Sequence, residues 1–315
     1  MNTTDAVIAQ ALRAAVRAPS VHNTQPWRFV VAPPFVHLYL DRDRVLPVAD
    51  PSAREARVSC GAALFNLRLA IEAAGRAAAV DLLPDADRPE LLAVLRVCGV
   101  RPATPEQATL MRAVPRRATN RSPFVERPVP AAHRAALVRS AEAERAHLFL
   151  LDTPKRLGTF ATLLRRADHH QGEDPAFQCE LHTWTHRDTE DGVPSAAGVP
   201  RPANGSLLTP GRFPAGAVAA PLVAMLTTRG DTPADHVRAG LAVQRVLLSA
   251  TVLGLSASFL SQPVELPGTR VALRTLLDVR GHPQTVLRIG YGLPAGRTPR
   301  RPVSAVTTSP TGARS

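Results

Sequence analysis

Lysine is almost missing from this chain: Lys155 is the only one. Positive charge is carried by arginine, and the formal net charge is +12. The arginines are spread along the sequence rather than gathered in one short run. That argues against a nucleic-acid stripe and favours small anionic molecules, phosphorylated cofactors among them. Aromatic residues make up only 4% of the chain, so Ala, Val and Leu must fill most of its core. Cysteine is also scarce. Cys60, Cys98 and Cys179 are scattered and odd in number, which excludes a disulfide framework and reads as small buried hydrophobes. No apolar run reaches the roughly 18–20 residues of a membrane span. The opening Met1-Asn2-Thr3-Thr4-Asp5 lacks the basic start and apolar centre of a signal peptide, so the cytoplasm is the expected compartment.

What is present suffices for a large core. The 315 residues are 45% hydrophobic, enough for one large domain or two ordinary ones and too apolar for global disorder. Apolar spacing predicts a helix from Thr4 to Arg17, ended by Pro19. Strands follow at Trp27–Val31 and Val36–Leu40. Ser52 is placed to cap a long helix that runs to about Ala74 and is closed by Gly75. Strands are expected at Ala78–Leu83 and Leu91–Val97, and a helix at Pro105–Val114. Beyond Val129-Pro130 come a helix to about Glu144, a strand at His147–Leu151, and helices at Pro154–Ala167 and Asp174–Trp184. Residues 187–217 are rich in Gly, Pro, Ser and Asn without a period, too long for a plain connection, and read as a covering segment or lid. Then follow a buried strand over 218–227, a long helix Ala234–Leu253 closed by Gly254, a short strand Ser256–Leu260, a helix Pro267–Leu277 and a strand Thr285–Ile289. The tail is polar.

The two halves resemble each other. Gly61-Ala62-Ala63-Leu64 opens a helical run ending at Gly75; Gly240-Leu241-Ala242-Val243 opens another that ends at Gly254, at the same spacing. Each leads to a similar strand, Val94-Leu95-Arg96-Val97 and Val286-Leu287-Arg288-Ile289. Two copies are too few for a solenoid. A pseudo-twofold pair, like a homodimer fused into one chain with its long helices at the interface, is the physical alternative. The boundaries expected are 1–114 and 115–315.

Two stretches carry chemistry. In Ala18-Pro19-Ser20-Val21-His22-Asn23-Thr24-Gln25-Pro26-Trp27, Ser20, Asn23 and Gln25 offer the hydroxyl and amide groups that read the edge of a planar heterocycle. No acid in the same loop orients His22 for proton transfer, so it is expected to pack on a cofactor or donate one hydrogen bond. In Arg116-Arg117-Ala118-Thr119-Asn120-Arg121, two or three guanidinium forks and a hydroxyl suit a phosphate dianion. Cys179, His182 and His186 could share a helix face, but without a paired Cys-x-x-Cys a metal is not expected.

The Ser20–Trp27 loop between helix and strand, and Arg117-x-Thr119-x-Arg121 followed by Phe124 and Val129-Pro130, resemble the motifs of the nitroreductase family, in its fused, Acg-like branch. The loop survives only in the first half and the phosphate motif only in the second. The resemblance implies an α+β nitroreductase-like fold, with mixed sheets flanked by helices and two pseudo-twofold repeats. It implies one FMN per chain, held by Ser20, Val21, His22, Asn23 and Gln25 at the ring and by Arg117, Thr119 and Arg121 toward the phosphate. Leu260, Ser261 and Gln262 match the segment near flavin N5, and Arg300 and Arg301 the basic residues that reach the phosphate. The implied activity is NAD(P)H-dependent reduction of a nitroaromatic or quinone-like small molecule through the flavin, with no protein nucleophile. Arg121 is the candidate for tuning the flavin. If the 187–217 segment covers the flavin face, the alternative is an FMN store with little or no turnover. With both repeats in one chain, a monomer can complete the fold.

Overall fold

The computed structural model describes residues 3–185, 189–194, 221–276, 278, 280–292 and 296–309. The first half runs α1 (Thr3–Ala15), β1 (Trp27–Ala32), β2 (Phe35–Leu40), α2 (Arg54–Ala73), β3 (Arg76–Leu82), β4 (Leu91–Val100) and α3 (Pro105–Ala113). The second runs α4 (Ala131–Glu142), β5 (His147–Leu150), α5 (Pro154–Glu173), α6 (Pro175–Trp184), β6 (Leu222–Thr228), α7 (Pro233–Val252), β7 (Ser256–Phe259), α8 (Gln262–Glu265), α9 (Pro267–Leu276) and β8 (His282–Gly290). A short β9 (Thr307–Thr308) follows. No helix among the described residues is long and apolar enough to cross a membrane.

The strands form two sheets, ordered β3-β4-β2-β1-β9 and β5-β6-β8-β7. Read from its other edge, the second has the order β7-β8-β6-β5, matching β3-β4-β2-β1 strand for strand. All pairings within these two sets are antiparallel. In each set the second and third strands in chain order are joined through a helix of 20 residues, α2 or α7. Both helices end on a left-handed glycine, Gly75 at φ 77° and Gly254 at φ 71°. That conformation costs glycine nothing and lets the chain turn back into a strand.

The two long helices cross at Gly61 and Gly240. A Cβ on Gly61 would lie 2.1 Å from the Val237 carbonyl oxygen, and one on Gly240 would lie 2.0 Å from that of Val58. Only glycine at both positions lets the backbones come this close. Polar bonds tie the halves further. Gln244 Nε2 donates to Asn66 Oδ1 at 2.7 Å, and Arg68 and Arg245 both reach the buried Glu144 carboxylate, at 2.6 and 3.1 Å.

The core follows the layers. Trp27, Phe29, Leu38, Leu64 and Leu95 join α1 and α2 to one face of the first sheet. The second sheet is covered on both faces. Leu226, Val243, Val246 and Ile289 fill the space toward α4 and α7, while Phe160, Val223, Met225 and Leu273 fill the space toward α5 and α9. This explains why every residue of β6 is buried, whereas β2 alternates.

Two readings change. Ser52 does not cap α2. Ala53 is left-handed, at φ 56°, and the Asp50 carboxylate accepts from the Glu55 and Ala56 amides at 3.1 and 2.8 Å. A carboxylate with two acceptor oxygens satisfies two of the helix's open donors where one hydroxyl satisfies fewer. Helix α5 continues past Ala167 to Glu173, where α6 restarts on the Asp174 cap. In the tail, β9 pairs in parallel with β1, Phe29 opposite Thr307, so a segment following the second sheet completes the first.

Candidate functional site

The loop after α1 turns sharply. His22, Asn23 and Gln25 all have positive φ, at 44°, 58° and 53°. The Ser20 hydroxyl braces the turn by accepting the Gln25 amide at 3.0 Å. The turn sorts its side chains. Ser20, Val21 and His22 line a cavity of about 220 Å³. Asn23 and Gln25 do not, which corrects the expectation that their amides face it. Asn23 Nδ2 donates to the Gly192 and Pro299 carbonyls at 2.8 and 3.1 Å. Gln25 donates to the Glu190 carbonyl at 2.9 Å and accepts from the Arg301 amide at 3.0 Å. Left-handed backbone at both residues turns these side chains toward two crossing segments, which they staple down.

The cavity sits where the halves meet. One wall is α2, through Glu55, Val58, Ser59 and Ala62; α7 adds Val243. The opposite wall is the second sheet and its continuation, through Ser258, Leu260, Ser261, Gln262, Thr285 and Arg288. Val193 and Pro194 also line it, and these belong to the segment read as a lid. Of 187–217, only residues 189–194 are described. They are fastened by the Asn23 and Gln25 bonds, by an Arg44–Asp191 ion pair and by a bridge between Thr185 and Val193.

A second hollow adjoins the first. It is lined by Arg17, Arg117, Ala118, Arg297, Thr298 and Arg300, and it shares Thr119 and Arg121 with the cavity. The motif is strapped to β7: Thr119 bridges Ala257, and the Asn120 amide donates to the Ala257 carbonyl at 2.8 Å. Arg117, which is buried, and Arg300, which is half-buried, are cations with no described carboxylate beside them, and the Nε of each lacks a partner. Burial and the neighbouring guanidinium of Arg121 push Arg117 down to about 10. Burial, with Arg117, Arg17 and Arg121 nearby, pushes Arg300 down to about 9. Both stay charged at neutral pH. Clustered buried cations without anions are unfavourable unless an anion joins them, and a phosphate dianion fits this donor set. Arg301 lies outside both hollows; its guanidinium caps the Ala305 carbonyl at 2.8 Å.

His22 is neutral here. Burial, reinforced by Arg121, holds its imidazole down to about 4. Across the cavity the acids behave oppositely. Burial and the repulsion of Glu265 push Glu55 well above the usual carboxyl range, despite its 2.6 Å contact with Arg54. Burial also raises Glu265, which accepts from Gln171 at 2.5 Å, and burial beside Glu265 raises Asp168 to about 7. Sequence reasoning missed Glu55, Glu265, Ser59, Ser258 and Arg288. Arg288 did leave a signal: it is the lone charge in the apolar run Val286-Leu287-Arg288-Ile289. Glu55 left none, since an acid in a first helical turn is ordinary.

Cys179 and His182 lie exposed on α6; His186 lies outside the described residues. Among the described residues no group of three or more His, Cys, Asp or Glu is placed to hold a metal.

Two sheets around a crossed helix pair, with a cavity between the halves that shares Thr119 and Arg121 with an arginine-lined hollow, define the α+β class of the protein. The nitroreductase family profile matches residues 2–38. A Mycobacterium tuberculosis protein provisionally named NAD(P)H nitroreductase Rv3131 is 35% identical over 330 residues, covering 96% of this chain and 91% of the relative. Another from the same organism, provisionally named NAD(P)H nitroreductase acg, is 32% identical, covering 97% of this chain and 96% of the relative. The chain belongs to the nitroreductase family. Among solved structures it is similar to the FMN-dependent nitroreductase NfnB of Mycobacterium smegmatis, with 18% identity, coverage of 64% of this chain and 97% of that chain, and a TM-score of 0.46.

Proposed function

We propose that this protein is an FMN-binding, NAD(P)H-dependent oxidoreductase that reduces a nitroaromatic or quinone-like small molecule. The observation that carries this reading is the pair of joined hollows: a cavity between the halves, and beside it a cluster of arginines, the buried Arg117 and the half-buried Arg300, that no described acid neutralises. A ligand with a planar ring and a phosphate suits both. FMN, when bound, supplies the hydride chemistry. The chain's residues bind and orient it. Ser20, Val21 and His22 border the ring site on one side, and Leu260, Ser261 and Gln262 on the other. Arg117, Thr119 and Arg300 grip the phosphate. Arg121, at the junction, supplies positive charge to the ring. Asn23, Gln25 and Arg301 brace the loop and the tail rather than touch the ring. The relatives' names, which give NAD(P)H as reductant, support the same reading.

The two halves, 1–114 and 115–315, are read as repeats of one unit. Their matched strand orders and the Gly61–Gly240 crossing support this. A single chain can then complete one site, and the expected compartment is the cytoplasm.

One observation favours a second reading. Val193 and Pro194 line the cavity, and the strap they belong to is held by three side chains, Asn23, Gln25 and Arg44. A strap that blocks access to the ring would make the protein an FMN store with little turnover. Purified protein is loaded with FMN and given NADPH without oxygen. Bleaching of the flavin bands supports the reductase, persistence supports the store, and failure to take up FMN sinks both.

A further inference from the structure

Arg288 stands apart from the phosphate cluster. It lies on β8 facing the cavity, only 7% exposed, beside Ser258 on the neighbouring strand. Its guanidinium carbon is 4.4 Å from the centroid of the Phe124 ring. The ring gives the cation a flat platform and fixes its direction, but brings no negative charge. Its Nε has no partner, and no described carboxylate pairs with it. The acids of the cavity are at the other end. Glu55 is held by Arg54, which also donates to the Gln284 carbonyl at 2.5 Å. Gln284 precedes Arg288 by four positions on the same strand, about 13 Å at roughly 3.3 Å per residue. The cavity is therefore polarised along β8, with carboxyl groups near Gln284 and cations, Arg121 and Arg288, at the far end. Arg288 does not line the phosphate hollow. An uncompensated buried charge is a standing penalty on the fold, so its counter-charge belongs to whatever the cavity itself receives.

We propose that Arg288 is a second ring-side cation: with Arg121 it stabilises the negative charge that the bound flavin ring gains on reduction, and it takes no part in holding the phosphate. This rests on the FMN reading above. Ring charge appears only on reduction, so the residue should discriminate between the two oxidation states of its ligand rather than add to affinity for both.

The test loads wild type, Arg288→Met and Arg288→Lys with FMN. It measures FMN affinity by fluorescence quenching, the two-electron midpoint potential by dye equilibration, and the melting temperature of each apoprotein. For Arg288→Met the affinity for oxidised FMN should change less than threefold, while the preference for reduced over oxidised flavin falls about tenfold, about 30 mV in a two-electron couple. Arg288→Lys, which keeps the charge, should hold the potential near wild type. The Arg288→Met apoprotein should melt no lower than wild type, because a buried unpaired charge is gone. An unchanged potential in Arg288→Met overturns the proposal. So does a potential drop that lysine does not restore, an equal loss of affinity for both flavin states, or a fall in apoprotein stability or failure to fold, which marks a structural residue. If the potential holds but 4-nitrobenzoate binding weakens relative to nitrobenzene, Arg288 serves the acceptor, and the flavin assignment is wrong. Failure of wild type to take up FMN defeats the FMN reading itself and is seen before any variant is compared.

Discussion

Replacing Gly61 with alanine tests the crossing on which the whole site is built. A Cβ there would lie 2.1 Å from the Val237 carbonyl oxygen and 2.9 Å from the Gly240 Cα, where ordinary contact begins near 3.4 Å. The obstacle is backbone, so no side chain can swing aside. The helices must separate by about 1 Å, a gap that forfeits a quarter to a half of the dispersion attraction between facing atoms. Alanine returns up to about 1 kcal/mol through its better helix propensity. Overpacking of this kind costs about 1–3 kcal/mol and sometimes more, so a net loss of about 2 kcal/mol is expected. Gly240→Ala should cost about the same, because its Cβ would meet Val58 and Gly61 at the same point. The double variant is the sharper test. Once one methyl has parted the helices, the second finds space, so the double loss should fall short of the sum by about 1 kcal/mol or more. Urea unfolding followed by circular dichroism measures all three. A Gly61→Ala protein as stable as wild type, or a strictly additive pair, would refute the reasoning. FMN affinity should weaken in parallel, since Val58, Ser59 and Ala62 flank the crossing and line the cavity.

Other outcomes can be checked more briefly. Arg121→Ala should lower the flavin midpoint potential, by about 30 mV for each tenfold loss of preference for the reduced form; an unchanged potential removes Arg121 from that role. Arg44→Ala unfastens the strap at Asp191, and stopped-flow mixing with NADPH should show faster flavin reduction if the strap limits access. The His22 pKa is depressed to about 4 in the folded chain against 6.5 for the free side chain. The unfolded chain then binds the extra proton between those values, so this contribution to stability is complete above pH 6.5 and is lost as pH falls toward 4. His22→Gln should flatten that limb of the melting-temperature profile. Asp231 behaves as an acid with the same sign: burial opposes its charge, but bonds from Arg270, Gln284 and His236 outweigh that and hold it below the usual carboxylate range. Asp231→Asn should therefore destabilise the protein at neutral pH and cost little once pH falls below the wild-type carboxyl's own pKa.

What could be read from the sequence was local or periodic. The equal spacing of Gly61 to Gly75 and of Gly240 to Gly254 is visible because a helix crossing and a left-handed stop both demand glycine. The Ser20–Trp27 loop and Arg117-x-Thr119-x-Arg121 could be found because their residue types are unusual together. What escaped depended on distant pairing. Nothing local shows that Asp50 outcompetes Ser52 for the end of α2, since that depends on the path taken by the intervening turn. Nothing local tells Thr307 and Thr308 to join β1. Asn23 and Gln25 have the right chemistry for a ring edge, yet their backbone conformation directs them to segments far along the chain. Glu55 faces the cavity only because α2 crosses α7 at one particular angle.

The β9 strand has a consequence for how the molecule is made. During synthesis, the strands β1 to β4 emerge long before residues 299–308, and until then the β1 edge is an open template. That edge stays open while the strands of the second sheet are translated, and only then can the returning chain seal it. The same return delivers Arg300 to the hollow and presents the Arg301 amide to Gln25. Completion of the arginine-lined hollow and closure of the first sheet are thereby late, linked events. Until that return, the hollow lacks one of its arginines and Gln25 lacks the donor it accepts from.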